Sequence, residues 1–583
     1  MILEIILFIL LNYVAGYWLF RVFFRAVNKI EKIFVPQIIG LAATPGLFTL
    51  FFFLFGFTAS LIILPAISMA LSMLSIKLIG QETKKTIVGR QAYYIIAAFI
   101  VVLIALFFSG FYDHAFSRIT DTHFHASVIN EIKSHNIPPS TPCLPGESLR
   151  YSWYPHLSFA LLSIYANTGV YTIFAFYGIY LFMLFAFISV LLAKEYLKSH
   201  SMILMFITIV CTYFFASFFL SSTQGYALPI LLLAFYTLIK SFDGNDKKFK
   251  ILSSTMCSSL IYIHGLSFIF MSLVILPIIL YKLIDKKIKH MACYVVPFAL
   301  TLPFLFLSDT STGLYLFQPF SGLFLIIRYI PHFNILLPLA VLAAIKCIKL
   351  KENNQAQILL SIITVLIFLL LFIMPRSPNI ERNIVLFMIP LSLFTLYYIK
   401  NSRTIVKIIV LVLVLYPLFS IHASDITNTF SSEKFFSTPE YMISSWIKNQ
   451  NETSSRLIGS PTSIYTGVSG TEPVICNDDF LRGWDYNNTK LKANFGDTLL
   501  LLSDPSKELI KKYNIKYFVF GDMEKVFLEK YDMKPFDFPN STAFKLEYKS
   551  GNYTVYSVKD IKALPEKSIL NLNFTSYSRW WEI

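Results

Sequence analysis

Fourteen stretches long and apolar enough to form bilayer-crossing helices punctuate the chain, and no other feature restricts its fold so strongly. A span needs roughly 20 apolar residues. The stretches fall at 2–20, 37–56, 58–78, 93–111, 170–193, 201–221, 226–241, 249–264, 266–284, 291–308, 333–349, 357–375, 384–400 and 404–421. Backbone polar groups in hydrocarbon must be satisfied within their own segment, so these stretches predict helices. Only 14% of residues are charged and 56% are hydrophobic, against about a quarter charged in soluble proteins. The fold class is a polytopic α-helical membrane protein. The first stretch has no basic residues before it, and Arg21 and Arg25 follow it. It therefore reads as a retained span rather than a cleaved signal.

Basic residues orient the spans. Counting alternate loops from the one after the first span, 24 Lys and Arg fall at 21–32, 77–90, 194–198, 240–250, 282–289, 346–351 and 400–407. The opposite loops hold six: Arg118, Lys133, Arg150, Arg328, Arg376 and Arg382. The positive-inside rule places the richer set in the cytoplasm. The long loop 112–156 and the tail then lie outside the cell membrane. The net charge of +15 is thus explained by orientation, and no aromatic-interleaved basic patch suggests nucleic acid.

From about 422 the sequence turns polar. SKELIKKYNIKYFVFGD predicts a helix running into a strand, and FKLEYKSGNYTVYSV predicts a hairpin around Ser-Gly-Asn. The expected domains are 1–92, additional N-terminal spans; 93–421, a transmembrane catalytic module with external loop 112–156; and 422–583, an external α/β domain. Five N-x-S/T sequons, at Asn451, Asn487, Asn540, Asn552 and Asn573, fit an external glycoprotein face. Six cysteines show no CxxC or metal-ligand spacing. Four lie in or beside apolar segments, and whether Cys143 and Cys476 pair is open.

Charge placement separates an enzyme from a transporter. A transporter keeps ionisable groups near the bilayer midplane, and no expected span has one at its centre. Polar residues gather instead at the outer ends: Asp113, His114, Asp121, His123, His125 and His156 in the long loop, His264 at a span end, Arg328 and His332, and Arg376, Glu381 and Arg382. Acids, bases and cations at one depth suit work on a lipid-anchored phosphate. Within 119-ITDTHFHASVINEI-132 the spacing predicts a helix from Asp121, stopped at Ile137-Pro138-Pro139. Phe124, Val128, Ile129 and Ile132 make one side apolar, as for a helix lying on the membrane surface. His123 falls on the face opposite Asp121.

Asp121-Thr122-His123-Phe124 at the head of such a helix resembles the Asp-Glu-x-His-Phe region of protein O-mannosyltransferases, and Tyr154-Pro155-His156 is similar to the end of their first external loop. The wider pattern resembles the GT-C superfamily of integral-membrane glycosyltransferases. Thr122 stands in place of the second acid, and three spans precede those that carry the pattern. The resemblance implies inverting transfer of a sugar from a polyprenyl-phosphate donor to a glycan, lipid or protein acceptor outside the membrane. It implies catalytic roles for Asp121, as base, and for His123, His156 and Asp113. His125, Arg376, Arg382, His264 and Arg328 would bind substrate.

Each has a plainer reading. Asp121 could be a helix N-cap, His125 could pair with it, His123 could be solvated, and Arg376 and Arg382 could anchor to lipid head groups. A divalent metal would need more ligands than Asp121 and His125 supply, so cofactors stay open. Gly483-Trp484-Asp485-Tyr486 and Trp580-Trp581-Glu582 echo part of an oligosaccharyltransferase motif without completing it. A polysaccharide polymerase or ligase using a diphosphate donor is the nearest alternative, and a lipid or glycan transporter the alternative from another class.

Overall fold

The computed structural model describes residues 2–80, 82–83, 90–118, 120–144, 146–218, 223–243, 246–284, 288–305, 335–350, 380–450, 456–476 and 488–568. Every expected span except 357–375, which lies outside those residues, overlaps a described helix. Six described helices are long and apolar enough to cross a membrane, and five more are shorter and apolar. The chain divides into two compact units, residues 1–112, 152–308 and 315–428, and residues 113–151, 309–314 and 429–583.

The first unit is helical. It opens with α1 (Ile2–Phe23), α2 (Lys29–Phe55) and α3 (Phe57–Leu78), then α4 (Arg90–Phe108). After α5 (Phe111–Arg118) and α6 (Thr120–Lys133), it resumes with α7 (Tyr154–Tyr165), α8 (Val170–Leu197), α9 (His200–Phe218), α10 (Thr223–Asp243), α11 (Lys247–Ile263), α12 (Gly265–Ile284) and α13 (Ile288–Leu305). Helices α14 (Leu336–Leu350), α15 (Ile380–Ile399) and α16 (Thr404–Phe430) follow. The expected boundary at 421/422 lies inside α16.

Helices α1 and α2 cross where neither carries a side chain. A Cβ on Gly16 would sit 1.9 Å from the Pro36 carbonyl oxygen, and one on Gly40 would sit 1.8 Å from that of Asn12. Beside the crossing, Thr44 Oγ1 donates to Asn12 Oδ1 at 2.9 Å. At the other end of α1, Arg21 Nε donates to the Ser75 carbonyl at 3.1 Å, and the same guanidinium bonds to Ile79. It thereby fills the last carbonyls of α3. Helices α1 and α2 also pack against α7, and α2 against α8 and α10. The N-terminal helices thus lie within the same unit as the later ones.

In the second unit, α17 (Pro439–Asn449) precedes β1 (Arg456–Ile458) and α18 (Ile464–Ser469). Then come α19 (Asn488–Ser503), α20 (Lys507–Tyr513), β2 (Ile515–Phe520), α21 (Asp522–Glu529), β3 (Phe544–Ser550) and β4 (Tyr553–Val558). The sheet order is β1-β2-β4-β3, with β1 and β2 parallel and the rest antiparallel. Strand β2 alternates by the strand period of two. Tyr517 and Val519 join Ile443 and Ile447 of α17 in one core, while Phe518 packs on Phe538 and Phe544. The helix-into-strand and hairpin signals of the sequence coincide with α20–β2 and β3–β4.

Candidate active site

Residues 113–151 fold with the chain beyond 429. Asp113 Oδ1 accepts from the Phe436 backbone N–H at 2.8 Å. His114 Nδ1 lies 2.6 Å from the Ser432 carbonyl oxygen, which can only accept, so that nitrogen carries the proton. Ser432 Oγ returns a bond to the His114 carbonyl at 2.9 Å. Further along α6, Asn130 Nδ2 donates to the Gly467 carbonyl at 3.0 Å. A disulfide joins Cys143 to Cys476, and the Cys476 N–H donates to the Cys143 carbonyl at 3.0 Å. Lys490 Nζ pairs with Glu147 at 2.9 Å.

These contacts overturn one expectation about α6. Phe124, Val128, Ile129 and Ile132 do not face lipid; they are buried in the protein, and α6 packs against α18 of its own unit. The apolar face is real, but protein covers it: Phe124 meets the Tyr151 ring edge-on at 5.9 Å. His123, on the opposite face, is only 5% exposed. Its imidazole stacks on Phe435 at 4.9 Å between ring centroids. Burial lowers its pKa to about 3, and a hydrogen bond with the Phe116 backbone offsets only part of that. His123 is therefore neutral at physiological pH and a weak proton acceptor. His125 is equally buried and faces the Tyr151 ring at 5.7 Å.

Asp121 is the second residue of α6, inside its first turn rather than at the cap. Its side chain lies outside the described residues, as does that of Arg382, which stands in the first turn of α15. Arg328 and Arg376 lie outside them altogether, with His332, residues 483–486 and residues 580–582. Among the described residues no group of three or more His, Cys, Asp or Glu is placed to hold a metal ion.

His156 and His264 belong to the helical unit. His156 lies in the first turn of α7 and is 2% exposed. His264 separates α11 from α12 and caps the latter. Its Nδ1 accepts from the Ser267 N–H at 3.3 Å and lies 2.8 Å from Ser267 Oγ. A backbone N–H only donates, so the neutral ring carries its proton on Nε2. Helices α7 and α11 touch. Tyr154 and Tyr262, each two residues before one of these histidines, lie 5.0 Å apart, and Tyr154 also stacks on Trp153 at 4.4 Å. This aromatic cluster was not singled out from sequence; its only signal is the aromatic density of YSWYPH.

No family model matches the chain, and no curated protein matches its sequence. Solved structures do share its fold. ArnT from Cupriavidus metallidurans, bound to undecaprenyl phosphate, superimposes over 79% of this chain and 98% of its own, with TM-score 0.52 and 10% identity. The arabinofuranosyltransferase AftD from Mycobacteria matches 82% of this chain and 42% of its own, with TM-score 0.50 and 12% identity. The archaeal oligosaccharyltransferase AglB from Archaeoglobus fulgidus, in complex with an inhibitory peptide and a dolichol-phosphate, matches 80% and 74% with TM-score 0.44 and 11% identity. The fold is that of the GT-C glycosyltransferases.

Proposed function

We propose that the chain is a membrane glycosyltransferase that moves a sugar from a polyprenyl-phosphate donor to an acceptor at the outer face of the membrane, with inversion. The observation that carries this reading is the likeness to nearly the whole length of ArnT, a protein whose structure holds undecaprenyl phosphate. The Cys143–Cys476 disulfide supports the external placement of its unit, because disulfides persist in oxidising compartments.

In this reading Asp121 takes the acceptor's proton as the acceptor atom bonds to the anomeric carbon. The bond from that carbon to the phosphate oxygen breaks, and the carrier phosphate leaves. Arg376 and Arg382 hold the departing phosphate through planar, bidentate donors. His156 donates to phosphate or sugar. Asp113 and His123 are structural in this scheme: one is engaged with the tail backbone, and the other has too little proton affinity to serve as base.

General-base catalysis contributes about 10²–10⁴-fold, so Asp121→Asn should cut turnover by that order with the fold intact. Asp113→Asn keeps an acceptor for Phe436 and should remain active. Transfer retained in the first variant and lost in the second would move the base to Asp113. A polymerase or ligase would instead require a diphosphate donor, so comparing mono- and diphosphate-linked sugars as substrates separates the alternatives.

A further inference from the structure

Three helical prolines near the N-terminus each leave a carbonyl four residues earlier without its N–H partner. Each of those carbonyls receives a tyrosine hydroxyl from another helix. Pro36 frees Lys32, which accepts from Tyr13 at 3.3 Å. Pro45 frees Leu41, which accepts from Tyr226 at 2.6 Å. Pro65 frees Leu61, which accepts from Tyr165 at 2.7 Å.

Two of these bonds converge on α7. Tyr165 is its last residue, and the Tyr226 hydroxyl lies 2.7 Å from Ser158 Oγ in its middle. At 3.6 residues per turn, positions 158 and 165 fall within roughly 20° of each other, and position 156 lies roughly 160–180° away. One face of this short helix is therefore tied to α2, through Tyr226, at its middle and to α3 at its end, and His156 stands on the other.

We propose that α2 and α3 set the register of α7, and that Tyr165 and Tyr226 are positioning residues for His156. The inference rests on the donor-phosphate role given to His156 above. In the purely structural alternative the tyrosines serve only to satisfy stranded carbonyls, which are costly in a membrane. The two differ in what a proline replacement restores. Pro65→Ala and Pro45→Ala return an N–H to the same carbonyls without tying α7 to them.

The experiment measures, on the full chain in nanodiscs, Tm and the Kd for undecaprenyl phosphate as probe. The variants are His156→Ala, Tyr165→Phe, Tyr226→Phe, Tyr165→Phe with Pro65→Ala, and Tyr226→Phe with Pro45→Ala. His156→Ala is expected to weaken binding about tenfold, as for loss of a charge-assisted hydrogen bond. Each Tyr→Phe variant should lower Tm and weaken binding at least about threefold. The proline replacements should bring Tm back while Kd stays weak. If Kd recovers with Tm, or if the Tyr→Phe variants bind as wild type while His156→Ala does not, the positioning inference is overturned and the assignment of His156 stands. If His156→Ala binds as wild type, that assignment fails, and the inference with it.

Discussion

Glu524 shows how a single side chain can couple the second unit to pH. It is fully buried, and its Oε1 accepts from Ser460 N–H, Ser460 Oγ and Tyr465 OH at 2.8, 2.8 and 2.9 Å. Burial raises its pKa above the ordinary carboxylate value despite these donors. An acid with a raised folded-state pKa contributes its stability while protonated, and loses it as pH rises from the unfolded value through the folded one. The unit should therefore lose Tm as pH rises above the ordinary carboxylate value. Glu524→Gln keeps an acceptor for the three donors and removes the titration, so its Tm should stay flat there and exceed wild type at pH 8. Melting curves of both proteins across that range check this. Neither Glu524 nor His123 was legible in sequence. Glu524 stands in no sequence motif, and His123 reads as either catalytic or solvated. Their burial depends on Ser460, Tyr465 and Phe435, tens to hundreds of residues away, and no local pattern reports such partners.

For the helices, legibility was high for existence and low for packing. Hydrophobic runs longer than a bilayer is thick leave little choice but helix, and the prolines within them were visible from the start. Their tyrosine partners were not, because a tyrosine in an apolar run looks the same whether its hydroxyl meets a carbonyl or the lipid interface. The apolar face of α6 was likewise correctly placed on the helix but assigned to lipid, since amphipathicity shows that a face is covered and not by what. Glycine allows a sharper test. Added methyl groups at Gly16 and Gly40 would strike backbone, which cannot yield, whereas one at Gly46 in the same helix as Gly40 meets nothing within 4 Å. Overpacking costs about 1–3 kcal/mol or more, while Gly→Ala in an open helical position gains up to about 1 kcal/mol. Gly16→Ala and Gly40→Ala should lower Tm and the yield of folded protein, and Gly46→Ala should not, as size-exclusion profiles and melting in detergent would show.

Across the whole molecule, the topology we propose from the charge asymmetry of the loops has residue 134 outside and residue 77 inside. Cysteine at Ser134 should react with an impermeant maleimide on intact cells, and cysteine at Lys77 only after lysis. Equal labelling of both would remove the topology and the outer-face reaction with it. The disulfide adds a second test at this scale. Losing a native bridge typically costs about 2–4 kcal/mol. Cys143→Ser should leave the unit more open to proteolysis within 113–151, even though Asp113, His114, Asn130 and Glu147 keep their contacts with the tail.

The bridge also has a consequence for how the protein is made. Its two cysteines are 333 residues apart, which at ordinary translation rates separates their emergence by roughly 20–70 s. Throughout that interval Cys143 is an unpaired thiol and α6 lacks its packing partner α18, while the intervening helices are still being made. The candidate catalytic loop therefore cannot mature in the order it is synthesised; it must wait for nearly the last fifth of the polypeptide. A nascent chain stopped at residue 430 should present a reactive thiol at Cys143, and a pulse-chase on non-reducing gels should show the bridge forming only after synthesis has passed Cys476.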